Sequence, residues 1–182
     1  MPMPAIRNSA FSMILALAIG NLALPVQAGD ACMDFKWDVS RERALFAGTA
    51  TAVTAGTGTK SAPVIVPDRL YALRLAAQEH VKFAAAPAKK SAGTALYAGL
   101  ATLKLPAQGS YRIAVDLPFW IDVVSNGTLV SAEDFQGQHE CSAPHKIVVF
   151  ALSAAQPLVL QLSGAAQDSV RLTVTAAPAR KL

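Results

Sequence analysis

The residue types best suited to chemistry are concentrated in one short stretch, His139 to His145, with the sequence HECSAPH. Its two histidines and Cys141 are ligands that zinc and copper favour, and Glu140 offers a carboxylate beside them. The sulfur would be a strong ligand only as a free thiolate, whereas His139, His145 and Glu140 could hold zinc, copper or iron without it. Three alternatives follow: a metal site, a free thiol with a redox role, and one end of a disulfide.

A second set of candidate residues is aromatic. Trp37 and the pair Phe119-Trp120 offer flat faces on which a sugar or an apolar ligand could stack. Phe119 and Trp120 are neighbours in a predicted strand, so their side chains point to opposite faces. We expect Trp120 to pack in the core and Phe119 to be exposed. Phe119 and Trp37 are therefore the predicted ligand-stacking residues.

Catalytic motifs are not recognised. The chain has no G-x-S-x-G nucleophile elbow. The glycine-rich run at 55–61 resembles a phosphate-binding loop, but Thr59 stands where that loop requires a glycine before the lysine. No residue is therefore assigned a catalytic role.

The first 28 residues have the build of a secretory signal peptide. Arg7 is the only charged residue before Asp30, an apolar run covers 11–24, and Val26-Gln27-Ala28 forms a small-residue cleavage site. The apolar run is shorter than the ~20 residues that span a bilayer. We expect cleavage after Ala28 and a periplasmic or secreted protein without stable membrane insertion.

Export bears on the choice among the three alternatives at Cys141. Cys32 is the only other cysteine of the chain. In an oxidising compartment such a pair is most simply a disulfide, worth roughly 4 to 5 kcal/mol in the chain-entropy view. We predict a Cys32–Cys141 disulfide and keep a metal site at His139 and His145 as the alternative.

Charge distribution argues against a nucleic-acid partner. The chain has 16 Lys and Arg against 12 Asp and Glu. The basic residues are scattered singly or in pairs, whereas nucleic-acid binding requires a clustered basic stripe. We expect an envelope protein or a small ligand as the partner instead.

Alternating apolar residues predict an all-β fold. Apolar side chains recur at every second position, as in strands with one buried face, in segments 111–115, 158–162 and 170–174. Continuous apolar runs, typical of strands covered on both faces, occupy 119–124 and 146–152. Further strands are expected at 70–75, 80–84, 96–105 and 128–130. The pattern predicts an antiparallel β-sandwich or jelly roll of about eight strands.

Local signals divide the chain further. Asn126-Gly127 predicts a type I′ hairpin turn. Ser40 is placed to cap a short helix over 41–46, which Gly48 would end. The Gly-, Thr- and Ala-rich run at 48–63 predicts a loop or a weak edge strand. We expect a signal peptide at 1–28, one sandwich domain at 29–176 and a disordered tail at 177–182.

Two resemblances add to these predictions. Segment 109–175, which includes GSYRIAVDLPFWIDVVSNGTLVS, HKIVVFALSAAQPLVLQLSG and SVRLTVT, resembles the pre-peptidase C-terminal type of jelly roll. That resemblance implies an accessory β-domain of a secreted protein. The acidic positions that bind calcium in such domains are absent here, so no site is transferred.

Over most of the exported chain the sequence is similar to short exported proteobacterial proteins of unknown function. The similarity includes the segments CMDFKW at 32–37 and CSAPHK at 141–146. Some of those proteins carry the label homogentisate dioxygenase, an enzyme that is much longer and binds iron through two histidines and a glutamate. No H-x-H motif occurs here, and nothing in the spacing of His80, His139, His145 and Glu140 requires such a triad.

The sequence therefore predicts an exported, non-enzymatic β-sandwich that serves as a binding or accessory module. This function rests on analogy between folds. The competing hypothesis is a periplasmic metal-binding protein or metalloenzyme that uses His139 and His145.

Overall fold

The computed structural model describes residue 1 and residues 35–91, 93 and 95–178. Cys32 and nearly all of the predicted signal peptide lie outside this part of the chain. The described residues form one α-helix, α1 (Ser40–Phe46), and twelve strands. The strands are β1 (Thr51–Thr54), β2 (Val64–Ile65), β3 (Leu70–Arg74), β4 (Ala76–Ala77), β5 (Tyr97–Leu103), β6 (Gly109–Val115), β7 (Trp120–Ser125), β8 (Thr128–Val130), β9 (Ala132–Gly137), β10 (Lys146–Leu152), β11 (Leu158–Ala165) and β12 (Ser169–Ala176).

Two sheets pack face to face as a sandwich. Sheet A has the order β1-β3-β12-β6-β10-β9, and sheet B has the order β2-β5-β11-β7-β8, with β4 also paired to β5. Without the peripheral strands β1, β2, β4 and β9, eight strands remain. Numbered along the chain, they follow the orders 1-8-3-6 and 2-7-4-5, which is the arrangement of a jelly roll. The predicted all-β sandwich is confirmed.

Three details of the prediction are wrong. The described strands number twelve rather than about eight, because β1, β2, β4 and β9 add to the sheets. Both sheets are mixed rather than wholly antiparallel, since β1 pairs parallel with β3 and β2 pairs parallel with β5. The strand expected at 80–84 is absent; Gln78–His80 form a 3-10 helix and the chain then crosses the outer face of sheet B.

The main core lies between the two sheets and follows the predicted alternation. The inward residues of the three alternating segments are all buried there: Tyr111, Ile113, Val115, Leu158, Leu160, Leu162, Val170, Leu172 and Val174. Burial of one such aliphatic side chain contributes about 1.5 to 3 kcal/mol. The period of two therefore places the core correctly.

The outer faces of both sheets are covered as well. On sheet A, the segment 35–50 with α1 packs Phe35, Val39 and Phe46 against Ala114 and Ile147. On sheet B, residues 78–90, which we call the strap, cover a smaller apolar cluster. The coverage explains the continuous apolar runs, because strands buried on both faces need apolar residues at successive positions.

Helix α1 lies close to its predicted place but has a different cap. Ser40 is the first helical residue, and the N-cap position belongs to Val39, which makes no side-chain cap hydrogen bond. The N–H of Ser40 donates to Oδ1 of Asp38 at 2.9 Å, and this hydrogen bond lowers the pKa of Asp38. The helix closes with the N–H of Gly48 donating to the carbonyl of Leu45.

The hairpin between β7 and β8 has the predicted turn. Asn126 and Gly127 both have positive φ, 49° and 75°, as a type I′ turn requires. The turn sets the register in which Ser125 pairs with Thr128 and Val123 pairs with Val130. Since β7 has six residues and β8 has three, the first half of β7 extends beyond the end of β8.

Candidate functional site

The two histidines of the HECSAPH stretch lie next to each other in the loop after β9. Their ring centroids are 6.0 Å apart, with 75° between the ring planes. Nδ1 of His145 is 3.0 Å from the carbonyl oxygen of Cys141, so a tautomer protonated at Nδ1 leaves Nε2 available to a ligand. The structure thus brings together two of the predicted metal-site residues.

Glu140 does not join them in a metal site. In the part of the chain that the structure describes, no group of three or more His, Cys, Asp or Glu side chains could hold a metal ion. Protein zinc sites normally have at least three protein ligands. His139 and His145 therefore form a two-ligand arrangement.

Cys141 is buried in the loop after β9, as a disulfide within the protein would require. Its side chain is buried, with 3% of the residue exposed. The loop closes around it, because the N–H of Gln138 donates to the carbonyl of His145 and the N–H of Cys141 donates to the carbonyl of Gln138. Cys32 lies outside the described residues, so the disulfide stays a prediction.

The predicted orientation of the aromatic pair is reversed. Phe119 is only 3% exposed and packs in the core between the sheets, so it offers no face to a ligand. Trp120 instead begins β7 and is partly exposed on the opposite face. Side chains alternate between the two faces along β7 and the residue before it. Phe119, Ile121 and Val123 point into the core, so Trp120 points away from it.

Trp37, the other predicted stacking residue, is half-buried against the apolar cluster beneath α1. It borders a groove of about 810 Å³ on the outer face of sheet A. Lys36 and Arg112 lie 4.8 and 5.4 Å from its ring centroid. Both cations are already paired with carboxylates, Lys36 with Asp134 and Arg112 with Glu42.

A more distinctive cavity lies at the edge of the sandwich that β8 and β9 form. It has a volume of about 340 Å³. It lies where β8 ends, so the first half of β7 has no neighbouring strand on that side. We call it the edge cleft. The chain passes from β8 in sheet B to β9 in sheet A through Ser131 alone, so the two strands form adjacent walls. The apolar lining includes Ile121, Leu129, Val130, Phe135, Val148 and Phe150.

Phe135 marks the outer wall of the edge cleft. It lies on β9, the edge strand of sheet A, and is 66% exposed. A large apolar residue this exposed is unusual on a soluble domain unless something covers it. Because Phe135 lines the edge cleft, its exposed apolar surface is continuous with the cavity.

Lys146 brings a charge to the lining of this apolar cleft. It is the first residue of β10 and has the same parity as Val148 and Phe150, which point into the core. Its Nζ donates to the carbonyl oxygen of Phe119 at 3.0 Å and lies 5.0 Å from the centroid of the Trp120 ring. Burial of the ammonium lowers the pKa of Lys146, and repulsion by Lys89 lowers it further.

Lys89 reaches the same tryptophan from the strap. Its Nζ is 5.6 Å from the Trp120 ring centroid. The strap is held in register by Gln161, whose side chain is buried at 1% exposure and bonds the backbone of Ala84 and Ala85. Lys89 is thus positioned by backbone contacts, although its own side chain is exposed.

Asp122 aligns the tryptophan and the strap together. Its Oδ1 accepts the indole N–H of Trp120 at 2.9 Å, and its Oδ2 accepts the N–H of Ala88 at 3.2 Å. Asp122 is 6% exposed and lies directly across from Gln161 in the β7–β11 pairing. Both carboxylate oxygens therefore accept hydrogen bonds from neutral donors. Asp122 holds the Trp120 ring in place beside Lys89 and Lys146.

The lysines at the cleft have no close counter-ion. Among the described residues, neither Lys89 nor Lys146 has a carboxylate oxygen within 4.0 Å. Asp122 acts on Lys146 only at longer range and is the smallest of the influences on its pKa. Two ammonium groups and the single carboxylate of Asp122 therefore leave the rim of the edge cleft with a net positive charge.

The sequence prediction missed this site, although a signal for it was present. In KIVVFAL, Lys146 has the parity of the core residues Val148 and Phe150. A lysine at an inward position of a strand is a rare event, because a buried ammonium is costly without partners. The three-residue strand β8 was expected at 128–130, but the strap had no comparable signal.

The fold and the cleft together define an all-β jelly roll with an apolar cavity at one sandwich edge and a cationic rim. Comparison of the chain with family models, with curated proteins and with solved structures finds no match. Within the described residues, none of the helices has the length and apolar character needed to cross a membrane.

Proposed function

We propose that the protein is an exported, non-enzymatic binding module that holds the apolar part of a small ligand in the edge cleft. The observation that carries this proposal is the cavity itself, about 340 Å³ lined by apolar side chains next to a small set of polar groups. Ligand sites in proteins have this composition, and the volume falls near the lower end of their usual range of ~300 to 1,000 Å³.

The packing of the cleft supports a preformed site. Its walls come from strands rather than loops, and Trp120 is fixed by its hydrogen bond to Asp122. Preorganised walls reduce the conformational entropy that binding must otherwise overcome. Phe135 would lose its exposure to water when a ligand covers it, which adds an apolar contribution.

The test uses Trp120 as the reporter of binding. The chain has two tryptophans, so a Trp37→Phe variant leaves only Trp120. Titration with hexan-1-ol, heptan-1-ol and octan-1-ol should shift its fluorescence. The dissociation constant should fall about fourfold per added methylene, as ~0.8 kcal/mol of burial implies.

A pair of matched variants locates the binding. Ala132→Phe should fill the cleft and abolish the alkanol response, because Ala132 lines it. Ala151→Phe adds the same side chain at an exposed strand position outside the cleft and should leave the response intact. Equal titrations of the two variants, or no response to any alkanol, would refute the proposed site.

Binding of a metal is a second candidate function, supported by one observation. His139 and His145 lie with ring centroids 6.0 Å apart, close enough for both to contact one ion after small side-chain rotations. Zinc, copper or iron would then take water or a bound molecule for its remaining positions.

Elemental analysis of untagged protein from the periplasm tests this alternative. Stoichiometric metal that is lost from the His139→Ala/His145→Ala variant would support it. A His80→Ala variant is the control, since His80 lies in the 3-10 helix at the start of the strap. Metal-free protein, or metal retained by the double variant, would contradict it.

A further inference from the structure

We propose that the ligand of the edge cleft is a small amphipathic carboxylate, with its apolar body in the cleft and its anionic head at Lys89 and Lys146 beside Trp120. This inference rests on the proposed function and adds the chemical class of the ligand. This class of ligand follows from charge complementarity, because the apolar lining and the cationic rim meet at Trp120.

The first argument is the unbalanced charge. Two ammonium groups lie about one indole ring, at 5.0 and 5.6 Å from its centroid, and they repel each other. Asp122 gives both of its oxygens to neutral N–H donors, and its one negative charge offsets only one of the two ammonium charges. An anionic head between the lysines would relieve the repulsion and supply the missing counter-ion.

The second argument is the supply of hydrogen-bond donors. Lys146 uses one of its three ammonium protons on the carbonyl of Phe119, so two remain for a ligand. That carbonyl holds Nζ at the rim, where apolar lining begins. A carboxylate is an acceptor with two oxygens and suits two cationic donors, whereas an ammonium head would meet like charge.

Selectivity for the head group tests the inference. Octanoate, octan-1-ol and octylammonium share one chain and differ only in charge, and each is titrated against the Trp37→Phe protein. We expect octanoate to bind about tenfold more tightly than octan-1-ol, which follows from charge-assisted hydrogen bonds, and octylammonium to bind most weakly.

Charge-removing variants assign the selectivity to the rim. Lys146→Gln and Lys89→Gln should each remove most of the preference for octanoate while octan-1-ol still binds. Lys90→Gln removes the same charge from the neighbouring exposed residue, which does not approach Trp120, and should keep the preference.

The outcomes separate the two proposals. Octan-1-ol that binds as tightly as octanoate would overturn the carboxylate inference and leave the apolar site standing. A preference reduced equally by Lys90→Gln and Lys89→Gln would overturn it too, since the effect would then come from general surface charge. If none of the three compounds binds, the proposed function fails together with the inference.

Discussion

At the scale of single residues, the least expected feature is an ionic contact under α1. Glu42 is 1% exposed and accepts hydrogen bonds from Arg112 at 3.4 Å and from the hydroxyl of Thr175 at 2.5 Å. Arg112 also donates to the carbonyl of Asp38 at 2.7 Å. The pair ties the covering segment to β6 and β12 in a fixed position, as buried polar groups do in some proteins.

Replacement of Glu42 tests that tie. Glu42→Gln keeps the side-chain volume but leaves the buried Arg112 charge uncompensated, which should cost about 3 to 5 kcal/mol of unfolding free energy. The measurement is urea unfolding. Arg41→Gln is the control, because Arg41 pairs with Asp68 at the surface and should change stability by less than ~1 kcal/mol. Equal losses in both variants would contradict the structural role of the pair.

Lys146 leads to a prediction about pH. Its folded pKa lies below the ordinary 10.5, so the ammonium begins to lose its proton in the folded protein before that pH is reached. In that window the unfolded chain binds more protons, and stability rises with pH. The affinity for octanoate should fall over the same window, because the carboxylate stays ionised while Lys146 becomes neutral.

Calorimetric titration between pH 7 and pH 10.5 measures this decline. A Lys146→Arg variant keeps its charge throughout the range, since the guanidinium pKa is above ~12. Its affinity should decline less over this range than that of the parent protein. A parallel decline in both proteins would place the titrating group elsewhere.

At the scale of elements, sequence patterns located the strands that have a buried apolar face and missed the polar edge strand β9. Segments 158–162 and 170–174 were identified because their inner residues alternate. β9 has the sequence AEDFQG, whose polar residues give no such alternation, and its partner β10 holds it as an exposed edge. The strap was mistaken for a strand because its apolar residues pack on a sheet without pairing with it.

The hairpin of β7 and β8 allows a direct test of turn chemistry. Gly127 has φ of 75° and free space where a Cβ would be, so Gly127→Ala should cost about 1 to 2 kcal/mol from backbone strain alone. Gly58 also has free space but an extended backbone, with φ of −168°, so Gly58→Ala should be neutral or slightly stabilising.

Thermal and urea unfolding of the two glycine variants give the comparison. Because the hairpin forms one wall of the edge cleft, Gly127→Ala should also weaken alkanol binding. Equal stabilities of the Gly127→Ala and Gly58→Ala proteins would show that the turn does not need its positive φ.

At the scale of the whole molecule, the predicted disulfide would join Cys32 to Cys141 in the loop after β9. Unfolded, unreduced protein should then show no reactive thiol. Reduction should lower the unfolding free energy by up to about 4 to 5 kcal/mol, the chain-entropy value for a loop of this length. A Cys32→Ala/Cys141→Ala variant should lose the same stability and respond no further to reductant. Two reactive thiols would exclude the bridge.

The jelly roll could be predicted from the sequence, whereas the candidate site could not. Core positions follow from a local period of two, which any strand buried on one face must obey. The strand β8 was expected at 128–130, but the edge cleft also depends on a strap that Gln161 and Asp122 hold from distant positions. Such contacts are non-local and leave no periodic trace. Phe119 and Trp120 were assigned to the wrong faces because size alone does not decide parity.

The single residue between β8 and β9 sets a limit on what the cleft can admit. Consecutive Cα atoms are about 3.8 Å apart, so Ser131 keeps the ends of the two walls within roughly 7 to 8 Å of each other. The two walls cannot separate at that end, unlike the walls of a cleft between hinged domains. The proposed site should therefore select ligands by the thickness of the apolar body, so that straight chains or single flat rings bind and fused, bulky skeletons do not.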